Sequence, residues 1–290
     1  MTKFEFEAIG TTWKIDIENN LSKDEEVILK NKIIERIYEF DKNYSRFRAD
    51  SLVTKMSKVS GIFEMPDDAD GMISLYKSFY IITNGLVTPL IGKVLVDAGY
   101  DEKYSFETKP LTSPKTWDNI IKWNNPKLTL SEPTLLDFGA GGKGYLVDIV
   151  GELLESRNIE SYCVDAGGDM RHRNAIKKTL RIGLEHPEDM TNVIGIVVLG
   201  NESLCGSAGS RRKWEDFHHI INPISLTSPK EVIAVWCIAK TTLLADLLTT
   251  ALFFTKPEVL LKHFEFEYLV LNLDYSILKS EGFNAEIFTS

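Results

Sequence analysis

Residues 135–154 read LLDFGAGGKGYLVDIVGELL, with four glycines and one lysine in the six positions 139–144. Regular helices and strands do not tolerate glycine at that density, because each one forfeits backbone entropy in a fixed element. The segment therefore demands a turn. The apolar run before it reads as the end of a strand. The pattern after it, with Leu146, Ile149, Val150, Leu153 and Leu154 at helical spacing, reads as a helix. Glycine turns of this kind let main chain approach a phosphate, and the question is which phosphate compound sits there.

Two known phosphate loops can be compared with the spacing. A Walker A loop needs glycine, four residues, then Gly-Lys-Ser/Thr. Here Asp137 holds the first glycine position and Gly144 follows Lys143, so that reading fails. The dinucleotide fingerprint G-x-G-x-x-G fits Gly139, Gly141 and Gly144, and Asp165 falls about twenty residues on, where a ribose-binding acid would sit. Against it, the loop lies mid-chain and no run of βαβ units follows. Asp137 would repel a pyrophosphate unless a cation intervened, and a second turn, Gly167-Gly168-Asp169, has no role in that fold. An NAD(P)-dependent oxidoreductase is thus a minor alternative. A third reading uses the misfits: Asp137 and Asp169 flank a phosphate site that also holds a divalent cation, although aspartates in glycine turns commonly serve only as caps.

The chain of 290 residues carries 33 basic and 42 acidic side chains, a net charge of -9. That balance argues against nucleic acid as a partner. The tripeptide Arg211-Arg212-Lys213 is too short for a polyanion track but can meet a single phosphate group. The start, MTKFEFEAIGTTWKIDI, alternates apolar and polar residues as a strand does and lacks the pattern of a signal peptide. No apolar stretch approaches the length of a membrane helix. The three cysteines, Cys163, Cys205 and Cys237, have no metal-ligand spacing and read as free thiols, Cys163 and Cys237 as buried ones in apolar strand-like runs. A cytoplasmic protein without a membrane span is expected.

Ser22 and Glu25 form a capping-box signature ahead of a stripe of Val27, Leu29, Ile33, Ile34, Ile37 and Phe40. Residues 41–51 read as a polar loop. A second helix is expected from about Asp70 to Asn84, stopped at Gly85. Residues 101–133 read as a polar surface connection with short strands. SYCVDAGGDMR, LRIGLEHP, VIGIVVLG and EVIAVWCIA read as strands, LLADLLTTALFF as a helix, and EYLVLNLDYSILKSEGF as a terminal strand pair. Helices and strands mix without strict alternation, which favours α+β. The expectation is a single domain over residues 1–290, built of two packed α/β lobes with mixed, largely antiparallel sheets.

Within LLADLLTTALFF, Asp246 is the one acid among apolar residues. A bare carboxylate there is costly unless it meets a donor or a cation. Thr249 and Thr250 follow at i+3 and i+4, on the same face. Carboxylate and hydroxyl oxygens suit Mg²⁺, whereas the alternative is a set of local hydrogen bonds. In FHHIINP, His218 and His219 point to opposite sides of an extended segment, so only one can face a given site.

In this order the segments resemble the FAD:protein FMN transferase family, also called the ApbE family. DFGAGGKGYLVD is similar to its D-L-G-G-I-A-K-G-Y-A-V-D, VDAGGDMR to V-D-L-G-G-D-I-R, HHIINP to H-H-I-I-D-P, and ADLLTTALFF to A-D-A-L-x-T-A-L-F. AIGTTWKI, YSRFRADS and TNGLVTPLIGKVL are weaker matches. The resemblance implies an enzyme that binds FAD and Mg²⁺ and transfers the FMN half to a threonine or serine hydroxyl of a partner flavoprotein, releasing AMP. Such acceptors carry a D-x-x-S/T-G-A-T/S type motif. By position it implies Mg²⁺ ligands at Asp246, Thr250 and the carbonyl of Ala140, with Thr249 adjacent. It implies FAD contacts at Ile9, Phe47, Leu86, Val87, Thr88, Asp137, Lys143 and Ile221, with Asp169 beside them, and catalytic roles for His219 and Asp246. The chain departs from the family at Ile9 (methionine), Thr88 (aspartate), Gly142 (alanine), Asn222 (aspartate) and in ISLTSP and GSAGSRRKW. Two alternatives stay open: an FAD pyrophosphatase giving FMN and AMP, as the resemblance implies for some relatives, and, prompted by the altered flank of the histidine segment, a flavin-binding protein with impaired catalysis.

Overall fold

The structure is a computed structural model and describes residues 1–288, apart from the side chains of Met190 and Arg211. The Arg211 part of the basic tripeptide therefore lies outside the described residues. An eight-stranded sheet runs in the order Thr2–Ala8, Thr11–Ile17, Tyr162–Ala166, Met170–Arg173, Ser203–Ala208, Val232–Ala239, Phe266–Asn272, Ile277–Lys279. Every ladder among the described residues is antiparallel. The fold is thus α+β, and the parallel sheet that a dinucleotide fingerprint requires is not formed. Nor is there a strand before the glycine loop. Residues 133–138 are irregular, and the Asp137 N–H donates to Pro89 O at 2.8 Å.

The two ends of the sheet are buried differently, and the sequence patterns follow. At the first end Trp13, Ile15 and Val164 are fully buried while Lys14 is exposed and Asp165 half-buried, so one face is core and the other is wet. Further along, at Val232–Ala239 and Phe266–Asn272, both faces are covered, whereas the edge strand Ile277–Lys279 is exposed. Val235, Cys237 and Val270 belong to the main core, while Ala234, Trp236, Ile238 and Leu269 pack beneath the small sheet Leu180–His186, Asp189–Leu199 and Ala285–Ile287. This is why EVIAVWCIA is continuously apolar instead of alternating.

Three helices cover the main-core face. Lys23–Tyr44 starts with the expected capping box of Ser22 and Glu25, and it runs to Tyr44, taking in the first four residues of the expected loop. Leu29, Ile33, Ile37 and Phe40 are buried, but Val27 and Ile34 are exposed, so the apolar stripe is narrower than its sequence suggested. The helices Gly142–Glu155 and Thr242–Ala251 pack against each other beneath the sheet. A fourth helix, Ala69–Ile82, ends where Asn84 and Gly85 take positive φ (52° and 86°) and the Gly85 N–H returns to Tyr80 O at 2.7 Å. All three cysteines are free, and Cys163 is only half-buried.

Candidate functional site

The helix pair Gly142–Glu155 and Thr242–Ala251 is joined at two points. Asp148, buried on the first helix, caps the N-terminus of the second. It accepts the Thr242 N–H (2.9 Å), the Thr242 hydroxyl (2.9 Å) and the Leu243 N–H (2.8 Å). Arg171 holds the same carboxylate at 3.0 Å and balances its charge. At the other point Asp246 accepts the Gly144 N–H at 2.9 Å. The glycines make this approach possible. A Cβ on Gly144 would strike Thr242 O and come within 2.7 Å of Asp246 Cβ, and one on Gly141 would lie 2.7 Å from Leu247. Two of the four glycines therefore serve helix packing, not phosphate approach. Gly139 has another role: its N–H donates to Asp137 Oδ1 at 2.7 Å, and a Cβ there would crowd that same oxygen.

Next to this junction lies a cavity of ≈ 110 Å³. Asp246 and Thr250 line it from the second helix, Asp137 and Ala140 from the glycine loop, and His219 and Ile221 from the histidine segment. Phe47, Leu86, Val87 and Thr88 complete its wall. A neighbouring cavity of ≈ 310 Å³ shares Phe47, Asp137, Gly139, Tyr100 and Arg212 with it and adds Ile9, Arg46 and Lys143. Of the residues singled out from sequence, Thr249 and Asp169 line neither cavity. Thr249 is fully buried; its hydroxyl donates to Asp246 O at 2.7 Å and pairs with Ser207 Oγ at 2.9 Å.

Charge in the site is arranged in compensated pairs. Lys143 Nζ lies 2.5 Å from Asp169, which is 1% exposed, and 3.0 Å from Ala166 O. Burial alone would lower the lysine pKa, but Asp169 and Asp246 outweigh it and raise the value. Asp137 pairs with Arg46, whose Nη1 also donates to Tyr100 O at 2.8 Å. Among the described residues, Asp246 has no such ion-pair partner. Burial pushes its carboxyl well above the usual carboxylate range, the Asp169 charge adds to the shift, and Lys143 and the Gly144 N–H oppose it.

The adjacent histidines differ. His218 is buried and both ring nitrogens are engaged, Nε2 with Pro229 O at 3.0 Å and Nδ1 with the Ile220 N–H at 3.2 Å. Burial depresses its pKa. His219 is half-buried and lines the Asp246 cavity. Two departures from the family pattern retain a local role. Thr88 accepts the Leu90 N–H at 3.2 Å, capping the short helix Pro89–Ile91. Asn222 accepts the Ile224 and Ser225 N–H groups at 2.9 and 3.0 Å. Ile9 occupies the first hairpin turn at φ 45°, an unusual setting for a β-branched residue.

Sequence reading missed Arg46, Tyr100 and Asp148. Asp148 closed the quoted motif and fell on the inner side of the helix, a usable sign. Arg46 gave none, because its partner Asp137 is 91 positions away.

The fold is that of solved ApbE proteins: one of Thermotoga maritima superposes with TM-score 0.83 at 22% identity, covering 98% of this chain and 99% of that one. The flavin transferase ApbE of Vibrio cholerae superposes with TM-score 0.80 at 20% identity, covering 97% of each. The sequence profile of the ApbE family matches residues 9–270, and the chain belongs to that family. An FAD:protein FMN transferase of Haemophilus influenzae is 28% identical over 237 residues, which is 74% of this chain and 66% of that relative. One of Escherichia coli is 24% identical over 281 residues, covering 89% of this chain and 79% of the relative.

Proposed function

We propose that this protein is an FAD:protein FMN transferase that moves the FMN half of FAD to a serine or threonine hydroxyl of a partner flavoprotein and releases AMP. Family membership supports the reaction class. The observation that carries the reading is the cavity where His219, Asp246, Thr250 and Ala140 meet from three distant segments.

The donor set suits Mg²⁺. One carboxylate, one hydroxyl and one carbonyl are few protein ligands, as is usual for an ion that shares its coordination with substrate phosphates and water. The described residues hold no group of three or more His, Cys, Asp or Glu side chains fit for a metal. Asp246, buried and short of positive charge, is the residue that gains most from a cation. When bound, the ion neutralises charge on the pyrophosphate.

The chain's own residues would do the rest. Asp137 and Gly139 present the glycine loop to the FAD hydroxyls and phosphates, and Phe47, Leu86, Val87, Thr88 and Ile221 shape the wall. Lys143, held by its ion pair with Asp169, lines the neighbouring cavity beside Asp137 and Gly139. His219 takes the proton of the acceptor hydroxyl as that oxygen attacks the phosphorus on the FMN side. The bond to the AMP oxygen breaks, and AMP leaves with the electron pair.

Incubation with FAD, Mg²⁺ and candidate acceptors bearing a D-x-x-S/T-G-A-T/S type motif tests this, with mass spectrometry of the acceptor. An FMN-sized adduct matched by AMP supports transfer. AMP with free FMN and no adduct would identify a hydrolase, and FAD binding without AMP an impaired flavin binder.

A further inference from the structure

Arg46 follows the Lys23–Tyr44 helix, and its side chain is 2% exposed. Its Nε is committed to Asp137, and its Nη1 to Tyr100 O. Nη2 has no hydrogen-bond partner among the described residues. The guanidinium lies 4.1 Å from the centre of the Phe47 ring and 4.8 Å from that of Tyr100. A buried donor left unmet carries the desolvation penalty of its group, more so when the group is charged, and folded chains keep few of them.

We propose that Arg46 contacts the substrate, and that Nη2 receives a phosphate oxygen of bound FAD. The inference rests on the reading of FAD as substrate. Arg46 bounds the ≈ 310 Å³ cavity together with Lys143 and Arg212, so three cationic side chains share that wall. Arg212 donates to the Tyr100 hydroxyl at 2.6 Å, and so both guanidiniums are organised around one tyrosine. Asp137 and Gly139, beside Arg46, also line the cavity that holds Asp246, so the open nitrogen adjoins the region assigned to the pyrophosphate. A planar guanidinium offers parallel donors that match phosphate, which an ammonium does not. Aromatic rings flank the guanidinium: Phe47 stacks on it, and Tyr104, 50% exposed, stacks on Phe47 at 5.6 Å. An entering oxygen displaces ring contacts and leaves main-chain hydrogen bonds intact.

The decisive variant is Arg46→Lys, which keeps a charge for Asp137 but removes Nη2; Arg46→Met serves as the stronger perturbation. Affinities for FAD and for riboflavin, which has no phosphate, are measured by flavin fluorescence alongside thermal melting. Arg46→Lys should weaken FAD binding on the order of ten- to a hundredfold, bind riboflavin no worse than the unmodified protein does, and melt as a folded protein. FAD affinity within twofold of the unmodified protein overturns the proposal, as does an equal loss for FAD and riboflavin, which would make Arg46 only a support for Asp137. If Arg46→Lys does not fold, a crystal structure of the unmodified protein with FAD decides: Nη2 beyond hydrogen-bond distance of every FAD phosphate oxygen overturns the contact. Failure of the unmodified protein to bind FAD at all would overturn the functional reading along with this one.

Discussion

Asp246 is the residue on which the two halves of the site depend, since it holds the Gly144 N–H with one oxygen and faces the cavity beside Thr250. Asp246→Asn preserves the shape and removes the charge. It should abolish Mg²⁺-dependent AMP release while the metal-free protein melts at an unchanged or higher temperature, because an uncompensated buried charge is gone. Near-normal, Mg²⁺-dependent turnover by this variant would falsify the metal assignment. The two histidines should separate by the property they affect. His219→Ala should cut FMN transfer about a hundred- to ten-thousandfold, the range for a lost proton acceptor, with little change in melting. His218→Ala breaks the hydrogen bonds to Pro229 O and the Ile220 N–H. It should cost ~1–3 kcal/mol of stability and leave turnover in the folded protein far less affected. Parallel turnover and denaturation measurements check both, and the reverse pattern would reassign the roles. For Lys143 the family resemblance implies an FAD contact. Its ion pair with buried Asp169 means that its loss also leaves a charge unpaired inside the fold.

At the scale of elements, the contact between Gly142–Glu155 and Thr242–Ala251 sets how near the glycine loop comes to Asp246. Glycines 142 and 144 sit in the same turn and have different surroundings. Beside Gly142 the nearest atom to an added Cβ is Phe138 Cβ at 3.5 Å, an ordinary contact, whereas Gly144 abuts Thr242 O and Asp246. Gly142→Ala should therefore stabilise by roughly 0.4–1 kcal/mol through the unfolded chain. Gly144→Ala should destabilise by about 1–3 kcal/mol and weaken turnover by pushing the helices apart. Urea titrations of the two variants decide this; equal effects would mean that the loop glycines are needed for turning, not for packing.

At the scale of the whole molecule, the proposed reaction requires a second protein. Gly-Ala-Thr and Gly-Ala-Ser do not occur among the 290 residues, and the nearest string, SAGS at 207–210, has the order reversed. Its serines are also engaged, Ser207 with Thr249 and Ser210 with Pro187 O. Intact mass after incubation with FAD and Mg²⁺ should therefore remain that of the unmodified chain, and a stable FMN-sized increment would show that it flavinylates itself. No helix among the described residues is long and apolar enough to cross a membrane.

By itself the sequence determined what local physics encodes. The capping box at Ser22 and Glu25, the helix stop near Gly85, the alternating first strands and the lone acid of the Thr242–Ala251 helix were legible because each depends on spacing within one or two turns of chain. Motif order was also legible, and with it the family. Tertiary structure alone decided the partners: Arg46 with Asp137 across 91 positions, Gly144 with Asp246 across 102, Lys143 with Asp169. It also decided that the segment before the glycine loop is not a strand, and that the Lys23–Tyr44 helix absorbs part of an expected loop. The reason is physical. Period and capping are properties of neighbouring residues, whereas the cost of a buried charge, and the group that relieves it, depend on which distant segment the closed fold brings within hydrogen-bond reach.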